Sequence, residues 1–164
     1  HKSINQKGVL SMDFSVVWLG GIGVAASVAL AAIGSAFGVG TAGMAAVGAW
    51  KKCYVQNKAA PFILIIFIGA PLTQTIYGFI LLVVLIGATE LNPIAKMAIG
   101  LLGGTSMAYS ALFQGKVGAK AADAIVESNK GVANYILAIG LVETVALFVM
   151  VFLLITATGT FGSL

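Results

Sequence analysis

The sequence contains no arginine, one cysteine (Cys53), one histidine (His1) and three prolines. Charge is scarce too: nine lysines and five acidic residues make up 9% of 164 residues, where soluble domains average about 25%. A lone cysteine excludes a disulfide within the chain, and the lack of thiols and imidazoles excludes a Cys/His metal site. So little polarity, with 60% hydrophobic residues and a mean hydropathy of +1.07, excludes an ordinary soluble enzyme and a disordered chain. The isoelectric point of 9.3 does not signal nucleic acid, because the lysines are scattered through short polar segments rather than gathered in a patch. No Gly-Lys-Ser or Gly-Lys-Thr occurs, so the chain has no P-loop for a nucleotide. Glycine, by contrast, is abundant, with 21 residues. Small residues in apolar runs are the composition of helices packed closely inside a membrane.

Four apolar runs stand out: Phe14–Trp50, Ala59–Thr89, a third from after Lys96 to Gly115, and a fourth from about Gly131 to Leu164. About 20 helical residues cross the hydrocarbon, so each run supplies one span. The first, 37 residues long, makes a helix that must project from the bilayer or break. The connection Lys51–Lys58 carries three lysines and that around Glu127–Lys130 is flanked by Lys116, Lys120 and Lys130, whereas that around Thr89–Pro93 has none, with Lys96 just beyond. The positive-inside rule therefore places the first and third connections in the cytoplasm and both termini on the non-cytoplasmic side. Polar residues 1–11 precede Met12-Asp13-Phe14 and are expected to be an extension.

The chain repeats itself. Leu72-Thr73-Gln74-Thr75-Ile76 aligns with Leu141-Val142-Glu143-Thr144-Val145 at an offset of 69, and Ser35-Ala36 with Gly40 and Gly43 aligns with Ser110-Ala111, Gly115 and Gly118 at an offset of 75. Two fused helical hairpins running in the same direction follow: residues 12–92 and 93–164, an all-α membrane fold. The first and third spans are lined with small residues, including Gly34, Gly38 and Ala42 at four-residue spacing, while the second and fourth carry bulk. Thin helices inside and bulky ones outside suit many copies arranged as a ring.

Glu143 is the one acidic residue deep in a span. A charge there costs at least about 2.5–3.5 kcal/mol and marks ion or proton handling. Its repeat partner is Gln74, flanked by Thr73, with Tyr77 one turn on and Pro71 one turn before. Proline lacks an N–H and disturbs the preceding turn, so carbonyl oxygen becomes available near mid-span. Gln114 lies on the third span. Thr73, Gln74, Gln114 and Glu143 thus offer neutral oxygens around one carboxylate, a set suited to a hard monovalent cation.

The motifs Ala70-Pro71-Leu72-Thr73-Gln74-Thr75-Ile76-Tyr77, Phe113-Gln114-Gly115-Lys116 and Leu141-Val142-Glu143-Thr144 together resemble the membrane rotor subunit K of V-type ATPases, the 16-kDa proteolipid, of the bacterial sodium-translocating type. The resemblance implies Na⁺ ligated by Thr73, Gln74, Gln114, Glu143 and the main-chain carbonyl of Ala70, with Tyr77 hydrogen-bonding Glu143 to close the site. Leu72 departs from that pattern, standing where glycine is expected. The implied function is ion carriage by a ring of identical subunits in a bacterial plasma membrane, with no catalysis by the chain itself. The stator arginine must come from another membrane protein of the complex, since this chain has none. Central-stalk subunits of the soluble ATPase are the expected partners at the cytoplasmic connections. Two alternatives stand beside this: a proton-carrying rotor of the same kind, and a small four-helix substrate/H⁺ antiporter or pore.

Overall fold

In the computed structural model, residues 2–159 are described, with side chains from Val17 onward. The polar extension 1–11 lies outside the described side chains. The elements are α1 (Lys2–Val55), α2 (Leu64–Gly69), a 3₁₀ turn (Ala70–Leu72), α3 (Thr73–Gly87), α4 (Pro93–Ser128) and α5 (Val132–Ala157). No strand occurs among the described residues. The protein is all-helical: α1 and the α2–α3 arm form the first hairpin, and α4 and α5 form the second.

Helix α1 does not break. Its 54 residues correspond to about 80 Å at ~1.5 Å per residue, so it overshoots a bilayer as one continuous helix. The second arm does break, at Pro71. Without an N–H, Pro71 cannot bond back to the carbonyl of Phe67, and one tight turn joins α2 to α3. Helix α4 starts with a cap of sequence origin: the Asn92 side chain accepts from the Ile94 N–H at 2.8 Å, with Pro93 in the first turn. It ends where Asn129 and Gly131 take left-handed backbone conformations and turn the chain into α5.

Three segments are long and apolar enough to cross a membrane by themselves: Val17–Val55, Leu64–Gly87 and Val132–Ala157. Helix α4 falls short on hydropathy, because glycine, serine, threonine and glutamine interrupt its apolar run. It is also the helix most enclosed by the others, and it reaches Ser128 rather than stopping at Gly115 as the apolar run suggests. A helix sheltered by its neighbours has less need of an apolar surface.

Helices α1 and α4 pack along most of their length, while α3 and α5 touch over a shorter stretch. Close approach sets this seam. A Cβ on Gly34 would overlap the backbone of Ala108, and one on Gly38 would overlap the Ala111 carbonyl and come within 2.7 Å of Pro71. The four-residue spacing of Gly34 and Gly38 therefore serves packing within the chain. Large apolar side chains such as Phe79, Val83, Phe148 and Phe152 remain exposed on α3 and α5, a surface that only lipid or protein can cover.

Candidate functional site

The break at Pro71 fixes the first group of oxygens. The Thr73 hydroxyl lies 2.9 Å from the Ala70 carbonyl oxygen and 3.2 Å from Gln74 Oε1. Oxygens of Ala70, Thr73 and Gln74 thus gather on one side of the second arm. Gln74 is fully buried and reaches across to α4, where its Nε2 donates to Gln114 Oε1 at 2.9 Å and to the Ser110 hydroxyl at 3.4 Å.

Gln114, also fully buried, passes the connection on. Its Nε2 donates to Glu143 Oε2 at 3.3 Å and to the Ile139 carbonyl at 3.2 Å. Glu143 sits near the middle of α5 and is half-buried. Its other oxygen, Oε1, accepts from the Tyr77 hydroxyl at 2.8 Å. Tyr77 follows Gln74 by three residues, which places both on one face of α3.

The result is one continuous network across three helices, running Thr73, Gln74, Gln114, Glu143 and Tyr77. Every residue expected at the site from the sequence is in it, Ala70 included. Two further contributors escape the sequence reasoning. The Ser110 hydroxyl donates to the Val142 carbonyl at 2.9 Å and accepts from Gln74; its signal is its place one turn before Gln114. The Ile139 carbonyl has no side-chain signature at all. Leu72, the departure from the expected pattern, is exposed and makes none of the site's bonds.

Among the described residues no ammonium group pairs with Glu143; the ion pair lies elsewhere, between Lys52 and Glu127. Among the described residues the carboxylate accepts from two neutral donors, Tyr77 and Gln114. Such a group in a membrane is neutralised by a proton or a cation. The described residues also hold no cluster of His, Cys, Asp and Glu able to bind a transition metal.

Residues 97–156, a span that includes Gln114 and Glu143, match the family model of the ATP synthase C-subunit. The second hairpin is thus similar to the ATP synthase C-subunit over those residues. Comparison with curated proteins returns no match. The first hairpin lies outside the matched residues, yet its elements end where the repeat requires: α3 stops at Gly87 and α5 at Ala157, close to the offset of 69.

Proposed function

We propose that this chain is a rotor proteolipid, an ion-carrying membrane subunit of the subunit K type of a V-type ATPase that is not catalytic on its own, and that its cargo is Na⁺. The observation that carries the reading is the oxygen set around Glu143. Ala70 O, Thr73 Oγ1 and Gln74 Oε1 cluster on one side, and Gln114 Oε1 and the carboxylate lie on the other. An amide oxygen carries two lone pairs, so Gln114 Oε1 can accept from Gln74 and still ligate a cation. A proton needs one carboxylate oxygen and gains nothing from the other four. One carboxylate balances one monovalent charge, leaving a neutral loaded site fit to face lipid.

Mechanically, an ion entering from an aqueous half-channel neutralises Glu143, and the loaded protomer turns away from the stator through lipid. An unloaded, ionised Glu143 is too costly to follow that path, so the ring advances only with filled sites. Release requires a fixed positive charge to compete with the cation, and the stator supplies that arginine. Helical extensions of α1 and α4 toward the connections Lys51–Lys58 and Glu127–Lys130 give the central stalk its footing on the cytoplasmic side, with both termini opposite.

The test is carbodiimide labelling of Glu143 in the assembled protein. The protonated carboxyl gives its proton to the reagent's nitrogen and adds through oxygen to its central carbon, and bound Na⁺ keeps the group ionised and without that proton. Na⁺ is expected to protect, and more strongly as pH rises, because deprotonation frees the carboxylate for the cation. Labelling indifferent to saturating Na⁺ at every pH would replace sodium with the proton as cargo.

A further inference from the structure

The internal repeat and the packing of α1 on α4 share one number. Repeat-equivalent residues of the two helices are 75 apart, as Ser35 is from Ser110 and Gly40 from Gly115. Residues that touch across the seam are nearly the same distance apart: Gly34 meets Ala108, Gly38 meets Ala111 and Gly115, and Lys52 meets Glu127, offsets of 73 to 77. The operation that carries the first hairpin onto the second is therefore a rotation with almost no shift along the helix axis. Repeating such an operation closes a ring, whereas one with a rise would build a filament.

Applied once more, the same operation says which faces meet between copies. On α1, the buried Ser27, Gly34 and Gly38 face α4; their equivalents on α4 are Leu102, Tyr109 and Phe113, all exposed. On α4, the buried Gly104, Ala111 and Gly115 face α1; their equivalents on α1 are Ala29, Ala36 and Gly40, again all exposed. The two open faces are the two halves of one head-to-tail contact, bulky on one side and small on the other.

Charge agrees with shape. Lys52 and Glu127 are themselves repeat equivalents, 75 apart. Within the chain Lys52 Nζ meets Glu127 Oε1 at 3.0 Å, and the two side chains stay 48% and 66% exposed. Since each residue occupies the other's position, the operation carries this pair onto Glu127 of one copy and Lys52 of the next. A carboxylate has two oxygens, and this bond engages Oε1.

We propose that copies join by seating the Leu102–Tyr109–Phe113 face of α4 on the Ala29–Ala36–Gly40 face of the next copy's α1. Glu127 then bridges its own Lys52 and that of the next copy, closing a girdle of alternating charge at one end of the ring. The two kinds of seam alternate around the ring: a tight one within each chain, where glycine lets backbones meet, and a wider one between chains, where tyrosine and phenylalanine intervene. This rests on the rotor-ring reading.

The test uses the detergent-extracted assembly, after its native mass is measured. A water-soluble zero-length carbodiimide, applied with Na⁺ present to protect Glu143, joins ammonium and carboxylate groups in contact. A ladder of covalent multimers is expected on a denaturing gel, and its loss in Lys52→Gln and in Glu127→Gln. In a Cys53→Ser chain, the pair Tyr109→Cys and Ile33→Cys, equivalent to Ala108 against Gly34, should oxidise to the same ladder. Phe79→Cys with Phe148→Cys, on exposed faces of α3 and α5, should stay monomeric. A ring of full mass showing neither ladder would overturn this seam while leaving the rotor reading intact. A ladder that survives loss of Lys52 or Glu127 would overturn the girdle. A native mass of one chain would overturn both the seam and the ring.

Discussion

Replacing Gln114 with alanine isolates the centre of the network. Gln114 is fully buried and makes three side-chain bonds, to Gln74, Glu143 and Ile139. The substitution removes one proposed cation ligand and one of the two donors to the carboxylate. It also leaves Gln74 Nε2 with only the long 3.4 Å bond to Ser110. A hydrogen bond to a charged group is worth about 1.5–3 kcal/mol, and a stranded buried donor costs about 1–3 kcal/mol. The ion-binding share is the loss at the loaded site, about 2–3 kcal/mol, or roughly 30- to 150-fold in affinity at about 1.4 kcal/mol per tenfold. The assay is the Na⁺ concentration that half-protects Glu143 from carbodiimide, read on rings whose mass and yield match the unmutated protein. It should rise by roughly that factor. Where the proton is the competitor, half-protection should demand about tenfold less Na⁺ for each pH unit gained, since one proton leaves for each cation bound. A mutant ring that assembles normally and keeps its half-protecting Na⁺ within about twofold of the original would refute the ligand role of Gln114 and the magnitude argued for it.

Tyr77→Phe removes the 2.8 Å donor to Glu143 Oε1 and should weaken Na⁺ protection about tenfold or more, while leaving the proposed oxygen ligands in place; unchanged protection would show that Tyr77 does not hold the loaded carboxylate. Glu143→Gln keeps the shape and loses the charge, so ion-coupled ATP hydrolysis and transport should both cease in reconstituted vesicles. Gly34→Val or Gly38→Leu collides with backbone of α4, so the chain itself should fail to accumulate in membranes, before ring assembly is reached; immunoblots of membrane fractions would show a stable but unassembled chain if the reasoning were wrong. Cys53 is 3% exposed, so native maleimide labelling should be slow, and sidedness is better read from Tyr54→Cys in a Cys53→Ser background, with Tyr54 66% exposed. That cysteine should react from the cytoplasmic side.

Much of this protein was written locally. Membrane residence follows from composition, since 9% charge cannot coat a soluble surface. The break in the second arm follows from Pro71, whose missing N–H acts on its own helix whatever the surroundings. The doubling of the hairpin follows from the offsets of 69 and 75, and the importance of Glu143 from the cost of a lone carboxylate in hydrocarbon. Each is a property of a few neighbouring residues or of the chain's totals.

Tertiary structure decided the rest, because facing is invisible where both faces of a helix are apolar. A soluble helix announces its inner side by amphipathicity, whereas a lipid-facing one does not. Nothing in the run Gly20–Gly48 tells Gly34 and Gly38, which let α1 and α4 touch, from Gly40, which stays exposed. Residue types alone likewise could not say that Gln114 turns its nitrogen to Glu143 and its oxygen to Gln74, or that Ser110 joins them. Those choices are made between helices tens of residues apart, where each donor takes the acceptor that packing brings within reach, because a buried polar group left unpaired costs more than any local preference can return.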